Sequence, residues 1–215
     1  MFIAKPLRFF VASLILSLSF LNANAQTEVP VSNNPLDGIP SGEYAVDLTH
    51  ASVLWKVSHL GFSTYVGRFN DFSANLTLDT EDFTKSRVDV DIKVDSIDTD
   101  YPFADEKDFN KILTEDWFKT DEYPSIIFKA TSVSALVENK AAVSGDMTML
   151  GETHPVVLDV TFNKAAASHP FKKVPIVGFS ATTTIDRTVW GVSKNAPAIG
   201  AEVLIEIEGE FLQSK

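Results

Sequence analysis

The chain has 215 residues, with 29 acidic against 18 basic side chains and a formal charge of −11. Such a surface repels phosphate backbones and anionic headgroups, which excludes nucleic-acid binding. The absence of cysteine excludes disulfides, thiolate metal sites and cysteine nucleophiles.

Lys5 and Arg8 precede an apolar run from Phe9 to Leu21, and Ala23-Asn24-Ala25 follows. The run is too short to span a bilayer, and a small-x-small triplet is what a signal peptidase cuts after. Residues 1–25 are therefore predicted to be a signal peptide, and the exported protein starts at Gln26. Residues 26–42 hold Pro30, Pro35, Pro40 and Asn33-Asn34 with few large apolar side chains, which predicts a flexible leader. Residues 43–215 then form one domain, long enough to hold together on an apolar core alone. No second apolar run is long enough for a membrane helix.

From Glu43 onward a period of two dominates, the signature of strands with one apolar face and one wet face. The first strands are predicted at Ser52–His59, Arg68–Leu78 and Val88–Val94, the last alternating with Asp89, Asp91 and Lys93. Ala104–Leu113 breaks the rule: Phe109, Ile112 and Leu113 fall at helical spacing, and Asp105 is placed to cap the start. Thr114 to Phe118 reads as a turn that ends near Pro124. Strands resume at Ser125–Val133, Ala141–Met149, Val156–Phe162, Val177–Ile185 and Val203–Ile207. Eight strands around one short helix point to an all-β barrel or sandwich. Dense Asp and Glu on the alternating faces fit a water-facing exterior better than an outer-membrane barrel.

Catalytic patterns are sparse. Gly178-Phe179-Ser180-Ala181-Thr182 begins like a nucleophile elbow but lacks the closing glycine and a following helix. No phosphate loop is present. His50, His59, His154 and His169 scatter without metal-ligand spacing, so no metal and no cofactor is assigned. The apolar faces are rich in aromatic residues instead. Val53, Trp55, Val57 and His59 share one face, Phe72 and Ala74 the next, then Ile126, Phe128 and Ala130, and later Phe179 and Ala181. A closed eight-stranded sheet has an interior that is either filled or holds one small ligand. Ala74, Ala130, Gly145 and Ala181 on inward faces favour the second.

Tyr44-Ala45-Val46-Asp47, His50-Ala51-Ser52 and Val57-Ser58-His59-Leu60-Gly61-Phe62-Ser63 stand near the start of this domain. Gly67-Arg68-Phe69-Asn70-Asp71-Phe72, Val94-Asp95-Ser96-Ile97-Asp98-Thr99 and Trp117-Phe118 follow. Tyr123-Pro124-Ser125-Ile126-Ile127-Phe128, Ser144-Gly145-Asp146-Met147-Thr148-Met149-Leu150-Gly151 and Ile185-Asp186-Arg187 with Trp190-Gly191 complete the set. In this order and spacing the chain resembles the YceI-like family of exported lipid-binding proteins from Gly42 to Phe211. The resemblance implies a lipocalin-like, eight-stranded antiparallel barrel with an apolar tunnel. It further implies a periplasmic, non-catalytic protein that holds or carries an isoprenoid quinone or a polyprenyl phosphate. Trp55, Phe72, Phe128 and Phe179 are then expected to line the tunnel. His59 stands either as a donor to a quinone oxygen or phosphate or as a structural histidine satisfied by the protein. Arg187 stands either as an anion clamp or in an ion pair with Asp47 or Asp186, and Trp190 as a plug or staple. Many relatives have a histidine between the positions of Asp98 and Asp108, where this chain has Tyr101-Pro102-Phe103. An enzyme of the same fold acting on an apolar isoprenoid substrate is the alternative. Stable membrane insertion is not expected, and pairing of two copies as a homodimer stays open.

Overall fold

A computed structural model describes residues 34–214. The predicted signal peptide and residues 26–33 of the leader lie outside them. The strands are β1 (Gly42–His59), β2 (Ser63–Phe69), β3 (Phe72–Leu78), β4 (Arg87–Lys93), β5 (Ile97–Asp98), β6 (Ser125–Val133), β7 (Lys140–Met149), β8 (Glu152–Ala166), β9 (Ile176–Asp186) and β10 (Ile199–Gln213). All pairings are antiparallel, and β1 closes on β10 from Tyr44–Gln213 to His59–Ile199.

These ten segments make the eight staves that the alternation predicts. β3 pairs with the start of β1 and β2 with its second half, so β2 and β3 are one stave broken at Asn70-Asp71. β4 and β5 are likewise one stave, broken at Val94–Ser96. The two breaks lie side by side: Asn70 N–H donates to the Ser96 carbonyl at 3.1 Å and Lys93 N–H to the Asp71 carbonyl at 2.9 Å. Bending two adjacent staves together lets a twisted sheet curl without losing backbone hydrogen bonds.

Three sequence expectations are corrected. The helix α1 spans only Phe109–Ile112, and its cap is Asp108, whose carboxylate accepts from Lys111 N–H at 2.8 Å. Residues 104–108 are not helical, so Asp105 caps nothing; α1 runs on into one π-helical turn over Leu113–Trp117, closed by Phe118 N–H on the Leu113 carbonyl. β1 begins well before Ser52, because Asp47–His50 bulge out of its pairing with β10 and hide the alternation. The part of the leader within the described residues is packed. Leu36 and Ile39 are buried against Tyr44, Leu76, Leu78, Phe162 and Val177, and the Tyr44 hydroxyl donates to the Pro40 carbonyl at 2.6 Å. Leu36 and Ile39 are sparse in sequence but land on the open end of the barrel, where they cover apolar rims that water would otherwise meet.

The bulge is tied down electrostatically. The buried Asp47 carboxylate accepts from Lys172 Nζ at 2.6 Å and from Thr49 N–H and Oγ1 at 3.2 and 2.7 Å. The Lys172 ammonium, joined by Thr49 and His50, holds this carboxyl well below the usual carboxylate range. A lowered pKa gives stability that is full above the unfolded value, about pH 4, and is lost as pH falls. Asp47→Asn is expected to cost about 2 kcal/mol at pH 7 and to flatten the fall in stability below about pH 4. Urea unfolding at pH 7 and pH 3 checks this; an unchanged pH slope would contradict it.

Candidate functional site

The barrel encloses a cavity of about 250 Å³ whose wall is almost entirely carbon. An apolar cavity of about 150 Å³ already admits benzene, so this one exceeds a packing defect. At the helical end it is lined by Leu113, Trp117 and Phe118 and by Val192 and Ile199. At the leader end Phe83, Val88 and Phe211 line it, and behind them Leu36, Ile39, Leu78 and Val177 complete a second apolar cluster. β10 contributes Val203, Ile205 and Ile207, its period-two face turned inward.

Of the six candidate site residues, Trp55, Phe72, Phe128 and Phe179 lie in this wall and Arg187 at its border. Phe72 and Phe128 are buried members of the main core and line the cavity. Phe179 lines it toward the leader end, with its ring centroid 5.7 Å from Phe162, 6.3 Å from Phe83 and 6.2 Å from Phe211. Trp55 lies across Gly67, where a Cβ would stand 2.2 Å from the indole. Its Nε1 is buried and has no acceptor among the described residues. Gly145 does not leave room for a ligand: the Phe128 ring fills its place, 2.4 Å from where a Cβ would be.

His59 is not in the wall. It shares the face of Trp55 and Val57, but it lies at the end of β1, exposed, with its ring 6.5 Å from that of Tyr65. Alternation assigns a face and cannot say where along the strand the interior stops.

Arg187 borders the cavity, 5 % exposed, and takes neither expected role as an ion-pair partner. Asp47 is held by Lys172, and Asp186 caps the single turn Arg187–Trp190 by accepting from Thr188 N–H at 2.9 Å. The guanidinium instead donates to four backbone carbonyls, those of Val192, Lys194 (3.2 Å), Ile199 (2.9 Å) and Gly200 (2.9 Å). Its Cζ stacks 5.3 Å from the Trp117 ring centroid. Burial lowers its pKa, and neighbouring Asp186 opposes that shift. Arg187 thus pins the loop that closes the helical end.

Two other polar side chains at the wall have protein partners. Ser180 Oγ donates to Glu208 at 2.6 Å, and Arg87 Nη1 to the carbonyls of Ser86 and Thr84 at 2.6 and 3.0 Å. Away from the cavity, Asp47, His50 and Glu210 bring ligand atoms within 4.8 Å of one another, but the Lys172 ammonium already occupies Asp47. Sequence reasoning missed Trp117, Phe118 and Val192, which read as turn and loop; nothing local announces that a turn folds over a barrel end.

Comparison with known proteins agrees with this geometry. Residues 44–211 match the model of the YceI-like domain. A UPF0312 protein of Pseudomonas putida (strain GB-1) is 34 % identical over 177 residues, covering 81 % of this chain and 88 % of that protein. The crystal structure of Burkholderia cenocepacia BcnA superposes with a TM-score of 0.65 at 24 % identity, over 77 % of this chain and 98 % of the other. A polyisoprenoid binding domain from Saccharophagus degradans, implicated in plant cell wall breakdown, has a TM-score of 0.59 at 12 % identity, over 80 % and 98 %.

Proposed function

This chain belongs to the YceI-like family, and from that premise we propose that it binds an isoprenoid lipid with the tail inside the barrel, as a carrier or store and not as an enzyme. The carbon-lined cavity carries the reading. The polyisoprenoid binding domain of Saccharophagus degradans supports it, since it shares the fold. Each buried CH₂ contributes roughly 0.8 kcal/mol, so a five-carbon isoprene unit contributes roughly 4 kcal/mol. Association takes back about 4–15 kcal/mol. Four enclosed units, roughly 16 kcal/mol gross, leave about 1–12 kcal/mol net, a range that includes the roughly 8 kcal/mol of a micromolar complex. The scarcity of polar groups in the wall, several of them held by protein partners, supports a holding role over catalysis.

Trp55 Nε1 carries the finer reading. A buried donor without an acceptor is satisfied when a bound oxygen reaches it, which favours a quinone carbonyl or phosphate headgroup close to Trp55. The basic start, short apolar run and Ala23-Asn24-Ala25 support delivery to the periplasm. Among the described residues no helix is long and apolar enough to cross a membrane.

Native mass spectrometry of protein purified from its own host is expected to show a bound isoprenoid. Titration with an isoprenoid quinone and with squalene resolves the headgroup. Trp55→Phe is expected to weaken the quinone about three- to tenfold, the worth of one hydrogen bond, and to leave squalene unchanged. Equal weakening of both would remove the headgroup assignment. Wild-type protein that binds neither would remove the lipid-binding reading itself.

A further inference from the structure

The barrel wall has a slit. β8 and β9 pair from Ala166–Ile176 to Asp159–Thr182, and there the pairing stops although both strands run on, β8 back to Glu152 and β9 forward to Asp186. Each keeps its other neighbour over this stretch: β8 stays on β7 as far as Glu152–Met149, and β9 on β10 as far as Asp186–Glu202. The hydrogen-bonded ring is therefore interrupted between Val156–Leu158 and Thr183–Ile185. Pro155 fits this place, since a residue without an N–H is tolerated where a ladder is absent.

A cleft occupies the slit, and Val156, Thr183 and Ile185 line both the cleft and the cavity. Only side chains separate the two. Trp190 forms the floor of the cleft: it is 3 % exposed, its Nε1 donates to the Met147 carbonyl at 3.0 Å, and its ring stands edge-on to His154 at 5.0 Å. The closed slit buries His154 Nε2 with no partner among the described residues. That atom gains a hydrogen bond when the slit opens, which lowers the free energy needed to open it. The outer lips are Val157 and Val189, exposed by 51 % and 48 %, apolar where a water-facing wall is normally polar.

Trp117, Phe118 and the Arg187-pinned loop pack across one end of the barrel, and Leu36, Ile39 and Leu78 across the other. Entry there requires unpacking a core or breaking the Arg187 hydrogen bonds. Entry through the slit breaks no strand–strand hydrogen bond and needs only Trp190, Val156 and Ile185 to move. We propose that the β8–β9 slit, floored by Trp190, is the port through which the lipid tail enters and leaves, which rests on the lipid-binding reading above.

The chain has no cysteine, so single thiols can be placed and capped at will. Val157→Cys at the slit, Glu115→Cys at the helical end and Lys85→Cys at the leader end are each coupled to the same bulky maleimide. Loading of an isoprenoid quinone with a four-unit tail is followed by quenching of tryptophan emission. The adduct on V157C is expected to slow loading at least tenfold relative to the unlabelled V157C variant, with each end adduct loading at the rate of its own unlabelled variant. Slowing by an end adduct alone, equal slowing by all three, or no slowing at the slit overturns the port. Failure of the unmodified wild type to load at all overturns the lipid-binding reading, a different result from any of these.

Discussion

Arg187→Met is expected to destabilise the protein by about 4 kcal/mol, the largest loss foreseen for a single exchange. A hydrogen bond to a charged group contributes about 1.5–3 kcal/mol, and Arg187 makes four, to the carbonyls of Val192, Lys194, Ile199 and Gly200. Part of that returns as the loop relaxes and water reaches the freed carbonyls, which brings the sum down to the stated value. For a domain of this length, 1 kcal/mol shifts the melting temperature by about 2–4 °C, so a fall of roughly 8–16 °C is expected. Arg187→Lys should recover less than half: an ammonium is a point donor and cannot span carbonyls that the planar fork reaches together. Urea unfolding of both variants decides the matter. A loss below about 1 kcal/mol, with binding of a polyprenyl phosphate selectively abolished, would return Arg187 to the role of anion clamp.

Filling the bore has the largest expected effect on binding. Ile207 lines the cavity from β10, level with Val53 on β1 and Ala181 on β9, and is only partly buried. Ile207→Trp extends an indole into space a tail would use. Excluding two methylene groups removes roughly 1.6 kcal/mol, more than a tenfold loss of affinity, so the dissociation constant for an isoprenoid quinone should rise at least tenfold. The melting temperature should hold within a few degrees, because the larger side chain enters a void and not a packed site. Ile207→Leu should behave as wild type. A folded I207W variant that binds quinone with undiminished affinity would show that ligand does not occupy this bore.

The alternating faces were legible because a strand's side chains have a period of two whatever surrounds them. β4 and β7 lie where Val88–Val94 and Ala141–Met149 read as strand, each within one residue, while β10 runs well past Val203–Ile207 at both ends. The inward placement of Trp55, Phe72, Phe128 and Phe179 follows from the same period. His59 obeys that period and still lies outside the wall, since it falls at the end of β1. Gly145 obeys it too, yet the space it opens is taken by Phe128 across the strand pair. Arg187 was conspicuous as a charge near an apolar face, but its partners are backbone carbonyls, and any residue supplies a carbonyl. No pattern of side chains could have pointed to them.

The staves, their wet and dry faces and the greasy interior were readable from the chain alone, because those depend on local backbone geometry and on which side chains water rejects. What packs across the two ends, where the ring of strands is left unzipped, and which buried donor lacks an acceptor among the described residues emerged from the folded barrel. Those features arise between segments far apart in the chain, such as Leu36 against Leu78 or Trp190 against Met147. The contacts are set by closure of the whole barrel, which fixes distances that no short stretch of residues encodes.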